Sequence, residues 1–181
     1  MVIMVYSQKN DISLRKIFES DASILMTLNN DLETAKYVVG NPKKVTLEEQ
    51  RQWMMQIKSE KNIVRFMIDF KSRTVGTVII SNIRDDIKIG NLNIKILSNY
   101  RGKGIGSHAI KLALSYCFNK LKLFCVTAHI LSDNFPSIAL FEKSGFVKEG
   151  VLRSRVIKHK QRKDLISYSI LRTEYEQMEN Q

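Results

Sequence analysis

The sequence predicts an α/β (α+β) fold: a mixed, mostly antiparallel sheet of about seven strands flanked by about four helices. Three observations carry this expectation. Strand-like runs cluster in the first half, one pair of them joined by a short polar turn. The second half alternates strand, helix, strand, helix and then two strands. A glycine-rich turn separates the first strand of that half from its helix, where α/β units commonly place a ligand.

Taken in order, Ile12 to Phe18 alternates apolar and polar residues, the period of a half-buried strand. Ser20 or Asp21 can cap a short helix through about Leu28. Thr46-Leu47-Glu48-Glu49 has capping-box spacing and opens a helix to about Lys58, with Trp53, Met54 and Ile57 on one face. Val64 to Phe70 and Thr74 to Ser81 read as strands joined by a three-residue hairpin, Lys71-Ser72-Arg73. After the turn Arg84-Asp85-Asp86, a strand including Leu92 to Leu97 leads to the glycine-rich segment. The following helix carries Ala109, Leu112, Ala113 and Tyr116 at helical spacing. Leu123 to Leu131 reads as a buried strand. Pro136 suits the first turn of a helix that Gly145 ends, and strands from about Phe146 to Ile157 and Lys163 to Leu171 close the sheet.

At 181 residues the chain can bury a sizeable core without staples, and a single domain over residues 1–181 is expected. Hydrophobic residues at 44% and charged residues at 26% are ordinary for a soluble globule. No run of about 18 apolar residues proposes a membrane span. Met1 to Tyr6 is too short for the apolar region of a signal peptide and lacks a basic flank, so a cytoplasmic location is expected. Cys117 and Cys125 form no C-x-x-C pair and sit in apolar patterns, as buried reduced thiols do. His108, His129 and His159 lack metal-ligand spacing, and no metal is expected. The net charge is +11, and six cations fall between Arg153 and Lys163. Such a run reads first as a solvated hairpin edge blunted against pairing, and second as a landing surface for an anionic partner. No aromatic residue is interleaved in it, which argues against a nucleic-acid stacking surface.

The most informative segment is Arg101-Gly102-Lys103-Gly104-Ile105-Gly106-Ser107. Alternate glycines tolerate positive φ and leave the main chain approachable, and free N–H groups at a helix N-terminus attract an anion. A phosphate is the simplest occupant. The Walker pattern is absent, since no Gly-Lys-Ser/Thr occurs. Gly104 to Ala109 fits the dinucleotide fingerprint, but no Asp or Glu lies between Ser107 and Ser132 to hold a ribose. The third option, Arg-x-x-Gly-x-Gly, resembles the pyrophosphate loop of the GNAT superfamily of acetyl-CoA-dependent N-acetyltransferases.

A second segment strengthens that resemblance. Asn134-Phe135-Pro136-Ser137-Ile138-Ala139-Leu140-Phe141-Glu142-Lys143-Ser144-Gly145-Phe146 is similar to the later motif of the family, at the usual distance from the loop. Glu149 to Arg153 and Asp164 to Leu171 are similar to the closing hairpin of the ribosomal-protein and spermidine branch. Asn30 to Glu33 and Leu47 to Trp53 resemble its opening helices, so the resemblance runs from about Ile12 to Leu171. It implies the GNAT fold and acetyl transfer from acetyl-CoA to a primary amine by direct attack on the thioester, with no metal. It further implies that Ile94, Ile96, Leu97, Arg101, Gly102, Lys103, Gly104, Ile105, Gly106, Ser107, Asn134, Ser137, Phe141 and Lys143 hold the cofactor. A homodimer through the sheet edge or the final hairpin is also implied.

The chemistry sets a requirement. An ammonium with pKa near 10.4 is neutral in about one molecule in 2,500 at pH 7, a cost of about 4.6 kcal/mol, so its proton needs a route out. The leaving thiolate gains from a proton donor. Where the family often supplies Glu and Tyr, this chain has Asn91 and Phe141. Asn91 could hydrogen-bond a proton-carrying water, or be a strand-edge residue. Tyr168, the phenol of the tail motif, could protonate the thiolate, or be an ordinary strand aromatic. Asp31 and Glu33 lie where related enzymes bind the acceptor, or form a solvated helix end; Asn134 could orient the pantetheine or cap its helix. The acceptor is expected to be a small amine or a protein N-terminus. An amino sugar, a polyamine, and a catalytically silent acetyl-CoA sensor are the alternatives.

Overall fold

In a computed structural model that describes residues 4–7, 11–39 and 43–180, the chain runs β1 (Met4–Ser7), β2 (Ile12–Lys16), α1 (Ala22–Asn30), α2 (Leu32–Ala35) and α3 (Leu47–Gln56). It continues through β3 (Val64–Phe70), β4 (Arg73–Arg84), β5 (Ile89–Ile96), α4 (Ile105–Ser115), β6 (Cys125–Leu131), α5 (Phe135–Lys143), β7 (Val147–Lys158), β8 (Gln161–Leu171) and α6 (Arg172–Glu179). The strands form one sheet in the order β1-β2-β3-β4-β5-β6-β8-β7. The pairing is antiparallel except between β5 and β6, which run parallel across the α4 crossover.

Each face of the sheet is covered by different helices, and β3 shows how alternation assigns them. Phe66 and Ile68 point into the main core with Leu14, Val78, Ile80, Leu92 and the apolar side of α4. Met67, between them, points the other way into a smaller cluster with Ala22 and Leu25 of α1 and Met54 of α3. All three β3 residues are no more than 1% exposed, and burying such a side chain contributes about 1.5–3 kcal/mol. The capping box at Thr46 forms as its spacing predicts: Glu49 N–H donates to Thr46 Oγ1, and Thr46 N–H donates to Glu49.

Several elements differ from the sequence expectation. β1 adds an eighth strand beside β2; Met1–Ile3, at the start of the expected non-signal segment, lie outside the described residues. α6 extends the chain beyond Leu171, and its Tyr175 stacks on Phe118 with ring centroids 4.9 Å apart. The β3–β4 turn is tighter than the expected three residues. Lys71 and Ser72 both take positive φ, 49° and 61°, and Arg73 already pairs with Phe70. Such a two-residue primed turn matches the twist of its strands. A 3₁₀ turn, Glu19–Asp21, precedes α1, and the Asp21 carboxylate accepts from Arg15 and from Phe18 N–H.

Candidate active site

The site starts from a break in pairing. β5 and β6 share three rungs, Ile89–Cys125, Gly90–Val126 and Asn91–Thr127. Beyond them β5 stays on β4 and β6 stays on β8 while the two parallel strands part. A register shift in β4 between Ser81 and Arg84 lies at that last rung, and such irregularities raise local twist. Between the parted strands lies a cleft of about 720 Å³, within the usual range for small-molecule sites. Leu92, Ile94 and Ile96 wall it from β5, Ala128 and Ile130 from β6, and Pro136, Leu140 and Phe141 from α5.

The glycine segment forms one end of the cleft. Gly102 and Gly104 take φ of 72° and 76°, and Gly104 is the left-handed N-cap of α4. Left-handed backbone strains any residue with a Cβ, so these glycines set the path into α4, whose first N–H groups have no acceptor within the helix. Gly106 has a different reason: a Cβ there would lie 3.1 and 3.2 Å from the Leu140 methyls. It lets α4 and α5 pack closely. Arg101 donates from Nε to the Ile96 carbonyl at 3.0 Å and from Nη2 to Thr34 Oγ1, joining the loop to α2.

The opposite side of the parted strands, facing α1, is polar. Lys95 Nζ donates to Asn29 Oδ1 on α1 at 3.1 Å, which fixes that orientation. Asn91 and Asn93 share this face of β5, and Asn93 Nδ2 donates to Asn91 Oδ1 at 2.8 Å. Asn91 Nδ2 lies 3.2 Å from both Thr127 Oγ1 and His129 Nδ1 on β6. Burial holds the Lys95 ammonium pKa below its ordinary value.

The expected cofactor residues fall into two groups. Ile94, Ile96, Arg101, Gly102, Gly104, Gly106, Ser107, Asn134, Ser137, Phe141 and Lys143 line the cleft. Three stand elsewhere: Leu97 N–H donates to the Val75 carbonyl, Lys103 Nζ lies over the Tyr100 ring at 5.3 Å, and Ile105 is buried in the α4 core. Asn134 caps α5 by accepting from Ser137 N–H at 3.2 Å, while remaining on the cleft wall.

The acceptor and catalytic candidates are more dispersed. Asp31 caps α2, accepting from Glu33 and Thr34 N–H, and its other oxygen accepts from Ser98 N–H. Glu33 pairs with Lys36 at 2.6 Å on the surface. The lining near α2 is instead Thr34, Tyr37, Val38 and Val39. Asn91 stands at the last rung, behind the lining residues Asn93 and His129. Tyr168 is 1% exposed and donates to Glu142 at 2.8 Å, outside the lining. Burial and that hydrogen bond push its pKa up to about 12. The sequence offers His129 only as a histidine without metal-ligand spacing and gives no signal for Asn93, because their place depends on the β5–β6 register.

A strand pair opened at one end, with a helix N-terminus and glycine loop at its mouth, defines an enzyme that handles a phosphate-bearing extended ligand. The donors of the loop, with Arg101 and Lys143 beside them, suit phosphates, and the apolar walls suit a narrow arm. The acetyltransferase (GNAT) domain model matches residues 11–147, and the chain belongs to that family. The uncharacterized N-acetyltransferase p20 of Bacillus licheniformis is 29% identical over 170 residues, covering 91% of this chain and 94% of that protein. Spermidine N(1)-acetyltransferase of Escherichia coli K12 is 24% identical over 166 residues, covering 92% and 89%. The structure of spermidine N-acetyltransferase from Vibrio cholerae with CoA and spermine superposes with a TM-score of 0.86 over 91% of this chain and 98% of that one. Its 24% identity makes it a likeness of fold. The protein is therefore an acetyl-CoA-dependent N-acetyltransferase. Among the described residues no group of three or more His, Cys, Asp or Glu could hold a metal, and no helix is long and apolar enough to cross a membrane.

Proposed function

We propose that this enzyme acetylates a primary amine that enters from the α1 side of the parted strands, on a small molecule or a protein N-terminus rather than on a polycation. The observation that carries this reading is Lys95, an ammonium on the cleft wall, while the Asp31 and Glu33 carboxylates are outside the lining, engaged by α2 and by Lys36. A polycation gains from carboxylates, and a fixed positive charge in a poorly solvated cleft opposes it.

When bound, acetyl-CoA supplies an acyl group activated as a thioester. The residues of this chain position and desolvate. Ile94, Ile96 and Phe141 wall the arm, the loop from Arg101 to Ser107 with Lys143 receives the phosphates, and Asn134 offers its amide N–H₂ to the pantetheine while its oxygen caps α5. Holding amine and thioester in line contributes to rate without any acid or base. A second reading, a polyamine acceptor, draws on the spermidine N(1)-acetyltransferases among the relatives.

Thiol release from acetyl-CoA, followed with a chromogenic disulfide against spermidine, monoamines, amino sugars and Ala- or Ser-starting peptides, separates the two. Turnover of a monoamine, amino sugar or peptide above that of spermidine supports the first reading. Preference for spermidine by tenfold or more overturns it in favour of the second.

A further inference from the structure

We propose that His129 is the group that removes the proton from the acceptor ammonium, with Asn91 as its positioning residue; this rests on the transferase reading above. His129 is exposed on the polar face, lines the cleft, and comes from the strand opposite the one that carries Asn91. Its Nδ1 is held 3.2 Å from the Asn91 amide, 38 residues away in sequence. Nε2 is on the other edge of the ring, free of that contact.

Asn91 has no acid or base chemistry, yet it sits at the centre of a chain from Ser81 through Asn93 to Thr127 and His129. With Asn91 Nδ2 donating to Nδ1, the neutral ring carries its proton on Nε2. Turning both amides over reverses the chain without moving a heavy-atom position. His129 Nδ1–H then donates to Asn91 Oδ1, Asn91 Nδ2 donates to Asn93 Oδ1, and the Ser81 and Thr127 hydroxyls rotate to donate inward. Nε2 is then bare, on a ring that lines the cleft, and can act as a base, the same logic by which a carboxylate orients the histidine of a hydrolytic triad.

By strand alternation the charged or titratable groups on this face include Lys95 of β5, Cys125 of β6 and Lys163 of β8, which pairs with Asp133, with Glu149 of β7 beside them. Glu149 reaches this face through Ser167, which donates to it at 3.1 Å and is the register partner of His129. Of the three ammonium protons, one passes to Nε2, one stays on the new amide and one ends on the CoA sulfur. The N–C bond forms as the C–S bond breaks with its electron pair leaving on sulfur, and His129 then returns its proton to solvent.

The test combines kinetics with a readout that needs no turnover. His129→Gln and His129→Ala are expected to lower kcat about 10²–10³-fold and to abolish the acid limb of kcat/KM against pH, with acetyl-CoA affinity by calorimetry within twofold of wild type. Asn91→Asp, which can only accept from Nδ1–H, should retain kcat within about fivefold, whereas Asn91→Leu should lose tenfold or more. Long-range ¹H–¹⁵N spectra of the wild-type protein should show the Nδ1–H tautomer of His129. A His129→Gln enzyme within threefold of wild-type kcat, or a protein whose neutral His129 is the Nε2–H tautomer, overturns the proposal. A wild type that binds acetyl-CoA but releases thiol to no acceptor sinks the transferase reading instead, and the tautomer still decides the histidine relay.

Discussion

Lys95 and Tyr168 are two titratable residues whose burial sets opposite pH behaviour. Burial lowers the Lys95 pKa, so the unfolded chain binds its proton more tightly than the folded one. The resulting penalty is present below the folded pKa and is relieved as pH rises towards the unfolded value of about 10.4. Lys95→Met should therefore raise stability at pH 7 by about 1 kcal/mol and flatten the stability–pH curve in the alkaline range, as denaturant melts at several pH values would show. Tyr168 runs the other way. Its pKa is pushed up to about 12, so its contribution is present below about pH 10 and is lost as pH rises through about 12. Tyr168→Phe removes the hydrogen bond to Glu142 and should cost about 1–2 kcal/mol at pH 7. Because that hydroxyl stands outside the cleft, kcat should stay within about threefold of wild type; a hundredfold loss would return Tyr168 to the reaction.

At the scale of elements, the glycine loop and α4 make one unit, and its glycines are not equivalent. Gly104→Ala forces a Cβ into the left-handed region at a cost of about 1–2 kcal/mol, and relaxing that strain moves the donors of the first turn of α4. Acetyl-CoA affinity should fall about tenfold or more, by calorimetry, in a protein that still melts cooperatively. Gly106→Ala is different. Its Cβ meets two flexible Leu140 methyls, and helix propensity returns up to about 1 kcal/mol, so stability should change by less than about 1 kcal/mol. These two segments were legible in the sequence because their signals are local: glycine spacing, the Asn134 cap, Pro136 and Gly145. The Asn91–His129 contact was not, because it follows from a parallel register joined through α4, and no local spacing encodes that register. α6 escaped for another reason. Apart from Tyr175 and Met178 its residues are polar, and what holds it are contacts to distant residues: Tyr175 stacks on Phe118, and Arg172 donates to the Phe118 and Leu123 carbonyls.

At the scale of the molecule, the basic hairpin of β7 and β8 supports the cleft from a distance. Its cations look like a solvated edge in the sequence, and β7 is indeed the edge strand. Two of them, however, bind other parts of the chain. Lys158 is 4% exposed and donates at 2.7 Å to the carbonyls of Ala35, the last residue of α2, and Val38, just beyond it. Lys163 pairs with Asp133 at 3.0 Å, beside the Asn134 cap of α5. The hairpin thus anchors two walls of the cleft that lie far apart in sequence, Tyr37–Val39 and the start of α5. Lys158→Met keeps the stem but leaves two buried-side carbonyls without this donor, at a cost of about 1–3 kcal/mol. The segment after α2 would then lose its anchor while the loop and α4 keep theirs. The expected pattern is a rise in acceptor KM of about tenfold with acetyl-CoA affinity within about threefold, whereas Arg153→Ala, on the exposed edge, changes neither. Equal losses of acceptor and acetyl-CoA binding in Lys158→Met would show that the hairpin holds the whole fold rather than one wall.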